Sequence, residues 1–178
     1  MLITHNMKNK KLLLGIAWAW LTCLSANAEV KLPAFFSDGM VMQQQTRANL
    51  WGTATPNAPV KITTSWDKQT YKTTADAKGA WKLALSTPSA GGPYTITFDD
   101  GKLTEIRDIL MGELWLCSGQ SNMEMPMKGF KNQPVENSNT DVMNSRNPQL
   151  RLFTVKRSSS FTPKTDVVGT WQEAVPAT

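Results

Sequence analysis

Apolar and polar residues alternate along short stretches of the chain between positions 30 and 108. Glycine, proline, asparagine and aspartate separate these stretches, and such residues favour turns. A period of two is the pattern of a strand with one buried face. The predicted strands are Met40–Gln43, Asn49–Thr53, Val60–Trp66, Gln69–Thr74, Trp81–Leu85, Tyr94–Phe98 and Lys102–Ile106. Many short strands joined by tight turns predict a small β-sandwich over residues 29–108.

The pattern changes after Ile109. An apolar run from Leu110 to Cys117 ends at the polar cluster Ser118–Asn122, which predicts a buried strand followed by a turn. Beyond it we predict a polar loop, a short helix, a strand and an edge segment, at 128–140, Thr140–Ser145, Leu150–Val155 and Gly169–Gln172. This order predicts the start of an α/β/α domain over residues 109–178. About 70 residues are too few to complete such a domain. The predicted fold is therefore α+β and multidomain, with an incomplete second domain.

Residues 1–28 have the pattern of a secretory signal peptide. Three lysines near the start precede an apolar core, Leu12–Leu24, and a small-residue site, Ala26-Asn27-Ala28. We expect cleavage between Ala28 and Glu29 and export to the periplasm or the extracellular space. The apolar core is shorter than the roughly 20 residues that cross a bilayer, so no membrane span is predicted in the mature chain.

Charge and composition narrow the function classes. The whole chain carries a formal charge of +5, but three of its 19 basic residues lie in the predicted signal peptide. The remaining lysines and arginines are scattered, so a nucleic-acid partner is not expected. No group of His, Cys, Asp and Glu residues has the spacing of metal ligands, so we predict neither a metal nor a cofactor.

Two sets of apolar residues have competing interpretations. Trp51, Trp66, Trp81 and Tyr94 either pack in the sandwich core, which is the usual place for large aromatic residues, or contact glycans. Core packing is favoured, and glycan contact stays open. Cys117 is the single cysteine of the predicted mature chain, and we expect it to be a small buried apolar residue.

Ser121 is the candidate nucleophile because it follows the predicted strand at a turn. Open α/β sheets bind ligands at the carboxyl ends of their strands. Gly119 lets the backbone turn tightly, and N–H groups at such a turn can stabilise an oxyanion. Gln120 and Asn122 either donate amide hydrogen bonds to a substrate or hold the loop, and both roles stay open. Ser118 is the rival hydroxyl, which we expect to bond the local backbone.

The segment Trp115–Pro126 resembles the nucleophile block of the sialate O-acetylesterase family, a branch of the SGNH hydrolases. The resemblance extends upstream through Leu32-Pro33, Phe36–Gln43, Leu50–Ala54, Gly79–Trp81 and Gly92–Tyr94. It implies an exported carbohydrate O-acetylesterase with an SGNH-type domain and Ser121 as nucleophile. The implied substrate is an O-acetylated sugar, either a sialic acid or a plant glycan such as xylan, and that choice stays open.

The resemblance also implies a histidine that activates the serine, from a block far downstream of the nucleophile. A serine hydroxyl is a weak nucleophile without an adjacent base. The one histidine of this chain is His5, in the predicted signal peptide. We therefore expect the chain to be the front portion of an esterase, ending inside the catalytic domain and inactive by itself.

Two other function classes compete with the esterase interpretation. A noncatalytic glycan-binding β-sandwich module is the alternative, and it predicts sugar affinity without ester hydrolysis. A pair of carboxylates, Glu113 and Glu124, could in principle hydrolyse a glycosidic bond. We disfavour that role because Glu113 fits a turn at the entry of a strand and Glu124 fits a residue that orders the loop.

Overall fold

The computed structural model describes residues 29–178. The predicted signal peptide, residues 1–28, lies outside the described residues. Within residues 29–178 no helix is long and apolar enough to cross a membrane.

Strands dominate the fold, and the first six occur where the sequence predicted them, while the seventh begins as predicted but runs six residues past Ile106. Their bounds are β1 Val41–Gln43, β2 Arg47–Thr53, β3 Pro59–Thr64, β4 Thr70–Thr74, β5 Ala80–Ser86, β6 Gly91–Asp99 and β7 Leu103–Gly112. Two short helices and two strands follow, α1 Ser121–Glu124, α2 Ser138–Met143, β8 Asn147–Phe153 and β9 Trp171–Ala174. The predicted short helix and the strand after it are confirmed, with bounds shifted by a few residues.

The strands form one mixed sheet and two smaller antiparallel pairs. The mixed sheet has the order β1-β7-β6-β3-β4, in which β1 runs parallel to β7 and the other neighbours are antiparallel. The pairs are β2 with β5 and β8 with β9. The described chain is therefore mostly β with few helices. The sandwich arrangement and the incomplete α/β/α domain remain predictions.

The core is one cluster of buried apolar residues, to which both the mixed sheet and the β2–β5 pair contribute. Strand β3 alternates strictly, with Val60, Ile62 and Thr64 fully buried and their neighbours exposed. The other fully buried apolar side chains are Met40, Leu50, Leu85, Ile96, Phe98 and Ile109. Of the strands β1 to β7, every one except β4 contributes a buried apolar residue. Burial of these residues stabilises the mixed sheet and the β2–β5 pair together.

The aromatic residues belong to this core. Trp81 is buried and packs against Phe98, with ring centroids 5.9 Å apart. Trp51, Trp66 and Tyr94 are half-buried against the same cluster. Their packing agrees with the core interpretation of these aromatics, so the sequence feature that suggested a glycan-binding module has another explanation.

Strand β7 bends at Asp108. Ile106 pairs with Ile96 and Ile109 pairs with Tyr94, so β7 holds one residue more than β6 over this interval. Asp108 has a φ of 54°, a left-handed conformation that aspartate tolerates better than most residues. Beyond this bulge β7 pairs with β1 and continues to Gly112. The predicted domain division after residue 108 thus falls inside a strand. The division remains a prediction, and the course of β7 favours placing it after Gly112.

The β8–β9 pair packs on the first region through aromatic rings. Trp171 donates an indole N–H to the Phe35 carbonyl oxygen at 2.8 Å. The rings of Phe35, Phe153 and Trp171 lie 5.2 to 5.6 Å from one another, in tilted or edge-on arrangements that aromatic pairs prefer. These contacts place β8 beside the end of the mixed sheet from which the Ser121 segment emerges.

Candidate functional site

The segment that leads to Ser121 leaves the mixed sheet at Gly112. The prediction of a buried strand from Leu110 to Cys117 is therefore wrong for its second half. Trp115 is 81% exposed and Leu116 is 93% exposed, and Cys117 is exposed as well. The physical reason is that a strand requires a neighbouring strand to bond its peptide groups, and no described residue pairs with this segment.

Glu113 is held at the exit of β7 by two glutamines. Gln44 Nε2 donates to Glu113 Oε1 at 2.8 Å, and Gln43 Nε2 donates to Glu113 Oε2 at 3.1 Å. These hydrogen bonds hold the pKa of Glu113 below its usual value because they favour the carboxylate, and the bond from Gln44 has the larger effect. Gln43 also accepts the Leu114 N–H at 2.9 Å. Glu113 therefore orders the exit of β7, whereas the sequence placed it in a turn at the entry of a strand.

Ser121 is the first residue of the single-turn helix α1. The turn is closed by the Met123 N–H, which donates to the Gln120 carbonyl oxygen at 2.9 Å. Gly119, Gln120, Ser121 and Asn122 are all exposed. Ser121 Oγ makes no hydrogen bond within the described residues. Ser118 Oγ makes none either, contrary to the expectation that it bonds the local backbone.

The packing of Met123, and not the backbone conformation, favours glycine at position 119. Its φ is not in the left-handed region, but a Cβ at this position would lie 2.7 Å from Met123 Cγ. Because Met123 has a flexible side chain, a small substitution could be accommodated if that side chain moved. The close approach of Gly119 to Met123 packs the start of the turn against its end.

A second carboxylate lies on the turn itself. Glu124 pairs with Arg157 at 3.2 Å, and both side chains are largely exposed. Since Glu113 is bonded to two glutamines and Glu124 to an arginine, each carboxylate has a local structural partner. This arrangement gives no support to the glycosidase interpretation.

Ser121 lines a broad concavity. Its walls are the segment from Gly112 to Ser121, strand β8 and the loop at residues 164–167. The concavity has a volume of about 2380 Å³, whereas ligand pockets typically measure about 300–1,000 Å³. The described residues therefore form one side of an open concavity, on which Ser121 lies. They do not close around a ligand of the size of one sugar ester. Among residues 29–178, no group of three His, Cys, Asp or Glu side chains is placed to hold a metal ion.

Gln43 and Gln44 also belong to this region, although the sequence did not predict them there. Gln43 closes the block Phe36–Gln43 that carries part of the family resemblance, which was a usable signal. Its contact with Glu113 spans 70 positions, so no local pattern could reveal it.

Comparisons with known proteins place this geometry in context. No protein-family model matches the chain. Curated sialate O-acetylesterases from Pongo abelii, Mus musculus and Homo sapiens are 30%, 31% and 32% identical over 81%, 74% and 68% of this chain. The matches cover 29%, 25% and 25% of those relatives. The chain thus spans between a quarter and a third of their length.

A solved structure is similar as well. The crystal structure of a carbohydrate acetylesterase from Xanthomonas citri superposes with a TM-score of 0.76 at 34% sequence identity. The similarity covers 84% of this chain and 33% of that chain.

Proposed function

This chain belongs to the sialate O-acetylesterase family, whose curated members it matches over a quarter to a third of their length, and from this premise we propose that it carries the nucleophile of a carbohydrate O-acetylesterase. The observation that carries the proposal is the position of Ser121. Its hydroxyl is exposed at the start of α1, on the wall of the concavity, within the block Trp115–Pro126.

The proposed reaction is acyl transfer. Ser121 Oγ attacks the acetyl carbonyl carbon of a sugar ester, and its proton passes to a base and then to the departing sugar oxygen. Water hydrolyses the acetyl-serine and releases acetate. The Ser121 N–H, at the start of the turn, is a candidate donor to the oxyanion. Such a donor typically contributes about 10²–10³ in rate.

The neighbouring residues have supporting roles in this proposal. Gly119 permits the close approach of Met123, which keeps the turn compact. Gln120 and Asn122 are exposed and carry amide donors that can reach a bound substrate. The base that the family resemblance implies is a histidine, and residues 29–178 contain none. The substrate is an O-acetylated sugar, either a sialic acid or an acetylated plant glycan. No cofactor is required.

We propose the same two-part organisation that the sequence suggested. A small β-sandwich precedes an SGNH-type α/β/α region, and the strand β7 joins them. Export through the predicted signal peptide fits a substrate class found on glycans outside the cytoplasm.

The test uses the full-length protein and measures the acetate that is released from O-acetylated sialic acid and from acetylated xylan. We expect Ser121→Ala to lower the rate by a factor on the order of 10³ or more. Ser118→Ala is the matched control, because it removes the same atom three residues away, and we expect a much smaller effect. Circular dichroism establishes that both variants are folded.

Two outcomes would overturn the proposal. A dead Ser118→Ala variant beside an active Ser121→Ala variant would show that the nucleophile is misassigned. Sugar binding without acetate release in the wild type would favour the glycan-binding module.

For the 178-residue chain alone, we expect no Ser121-dependent burst with 4-nitrophenyl acetate, because residues 29–178 contain no imidazole.

A further inference from the structure

Three separate blocks of the sequence meet where β7 ends. Gln43 and Gln44 come from the end of β1, Glu113 and Leu114 follow β7, and Ala90 precedes β6. Gln44 Oε1 accepts the Ala90 N–H at 2.8 Å, while Gln44 Nε2 donates to Glu113. The backbone N–H of Gln44 also donates to the Gly112 carbonyl oxygen at 2.9 Å. The exit of β7 is therefore tied to two other parts of the chain.

The network leaves each glutamine only one orientation. Gln43 accepts the Leu114 N–H through Oε1 and donates to Glu113 through Nε2. Gln44 likewise accepts at Oε1 and donates at Nε2. Since both ends of each amide are used, a flipped amide would place donor against donor. We call Gln43, Gln44 and Glu113 the exit clamp.

The exit clamp is the last anchor before the nucleophile turn. Leu114 N–H is bonded to Gln43, and the next backbone hydrogen bond along the described chain is the one from Met123 to Gln120 that closes the turn around Ser121. An isolated four-residue helical turn is not stable in water. The turn therefore depends on contacts at both of its ends. At its second end, Glu124 pairs with Arg157.

We propose that Gln43, Gln44 and Glu113 are positioning residues for Ser121, which set the direction in which its segment leaves the sheet. This inference rests on the proposed function of Ser121. A nucleophile displaced by about 1 Å can lose about 10²-fold in rate, so a rigid exit from the sheet has a direct catalytic value. None of the three residues touches the reacting atoms in this proposal.

The test measures amide hydrogen exchange in the full chain, by mass spectrometry with fragmentation that resolves single residues. In the wild type, the Leu114 amide should exchange about tenfold more slowly than the Trp115 and Leu116 amides after correction for intrinsic rates. Equal rates at Leu114 and its neighbours would overturn the proposal without any variant.

Glu113→Gln breaks the clamp, because two amide donors then face a group with one acceptor. We expect faster exchange at Leu114 and also at Met123, each by about tenfold. Glu105→Gln makes the same chemical change on β7 itself, eight positions before Glu113, where Glu105 pairs with Arg107 on the surface, and it should leave both amides unchanged.

A reciprocal exchange provides the rescue. In the double variant Gln43→Glu with Glu113→Gln, the new carboxylate accepts from Leu114 and from the new amide, which in turn accepts from Gln44. The three hydrogen bonds reform, so slow exchange should return at both amides. If Glu113→Gln removed the protection of the Leu114 amide against exchange but left the Met123 amide unchanged, the clamp would only close the end of β7. That result would overturn its positioning role.

These measurements need no turnover. If Ser121→Ala retained esterase activity, the proposed function would fail while the exchange pattern stood. If the exchange pattern were absent while Ser121 proved to be the nucleophile, only the positioning role would fail.

Discussion

Arg151 of β8 donates two hydrogen bonds to the Asp108 carboxylate, at 2.6 and 3.3 Å, across 43 positions of the sequence. The arginine side chain is 7% exposed and lies 3.5 Å from Glu173 of β9 as well. Asp108 is the left-handed residue of the bulge in β7. The pair therefore joins the β8–β9 hairpin to the strand that leads to Ser121.

Loss of the Asp108 charge should destabilise the fold. In Asp108→Asn the buried arginine loses a charged acceptor, and hydrogen bonds to charged groups contribute about 1.5–3 kcal/mol. Since Asp108 is 45% exposed, we expect a loss of about 1–2 kcal/mol after solvent screening. Asparagine tolerates the left-handed backbone, so the variant isolates the charge. The measurement is the midpoint of urea unfolding at constant slope.

The surface pair of Glu105 with Arg107 is the control for that prediction. Both residues lie on β7, and the arginine is 71% exposed. Glu105→Gln should change the free energy of unfolding much less than Asp108→Asn does, because exposed ion pairs contribute little to stability. Equal losses from the two variants would show that Arg151 holds the hairpin by packing and not by its charge pair.

Asp67 should make stability depend on pH in the acid range. Burial raises its pKa, but hydrogen bonds from the Thr64 hydroxyl, the Gln69 N–H and the Tyr71 hydroxyl lower it, and the net shift is downward. A carboxylate with a lowered pKa in the folded state stabilises the fold above its unfolded pKa, near 3.9. That contribution is lost as the pH falls through the folded pKa.

Comparison of Asp67→Asn with the wild type checks this sign. The difference in free energy of unfolding should be constant between about pH 5 and 7 and should shrink below about pH 4. Tyr71→Phe removes one of the three donors to Asp67 and should weaken the pH dependence without abolishing it. A difference that stays constant down to about pH 2 would contradict the assignment.

The exposed apolar segment after β7 should make the chain self-associate. Trp115 and Leu116 are mostly exposed, and contiguous apolar surface of this kind promotes association in water. Sedimentation velocity of the chain should show oligomers or aggregates that Trp115→Ser with Leu116→Ser reduces. Leu103→Ser, at a 70% exposed position on β7, is the control and should have little effect. A wild type that sediments as a single monomer would refute this prediction.

Export should remove the first 28 residues. The pattern of basic residues, apolar core and Ala26-Asn27-Ala28 predicts cleavage before Glu29. Amino-terminal sequencing of protein recovered outside the cytoplasm should begin at Glu29. A product that keeps Met1, or that carries a lipid on Cys23, would count against cleavage at this site.

The nucleophile turn shows how far the sequence could lead. The block around Ser121 was recognisable from its resemblance to the sialate O-acetylesterase family, since the cluster of glycine, serine and amide residues after an apolar run is by itself weak evidence, and the structure places Ser121 at the first residue of a helical turn. The apolar run itself was misinterpreted from Leu114 onward. Hydrophobicity indicates that a segment can be buried, but burial depends on which other segments cover it, and no described residue does so here.

The sequence by itself determined the strands β1 to β6 and the start of β7, because alternation with a period of two is a local property that each stretch carries alone. Tertiary structure alone decided that β1 lies parallel to β7, that β7 runs past residue 108 to Gly112, and that Gln43 meets Glu113. Such contacts join residues far apart in the chain. Their formation depends on the packing of the whole core, which no local pattern of residues encodes.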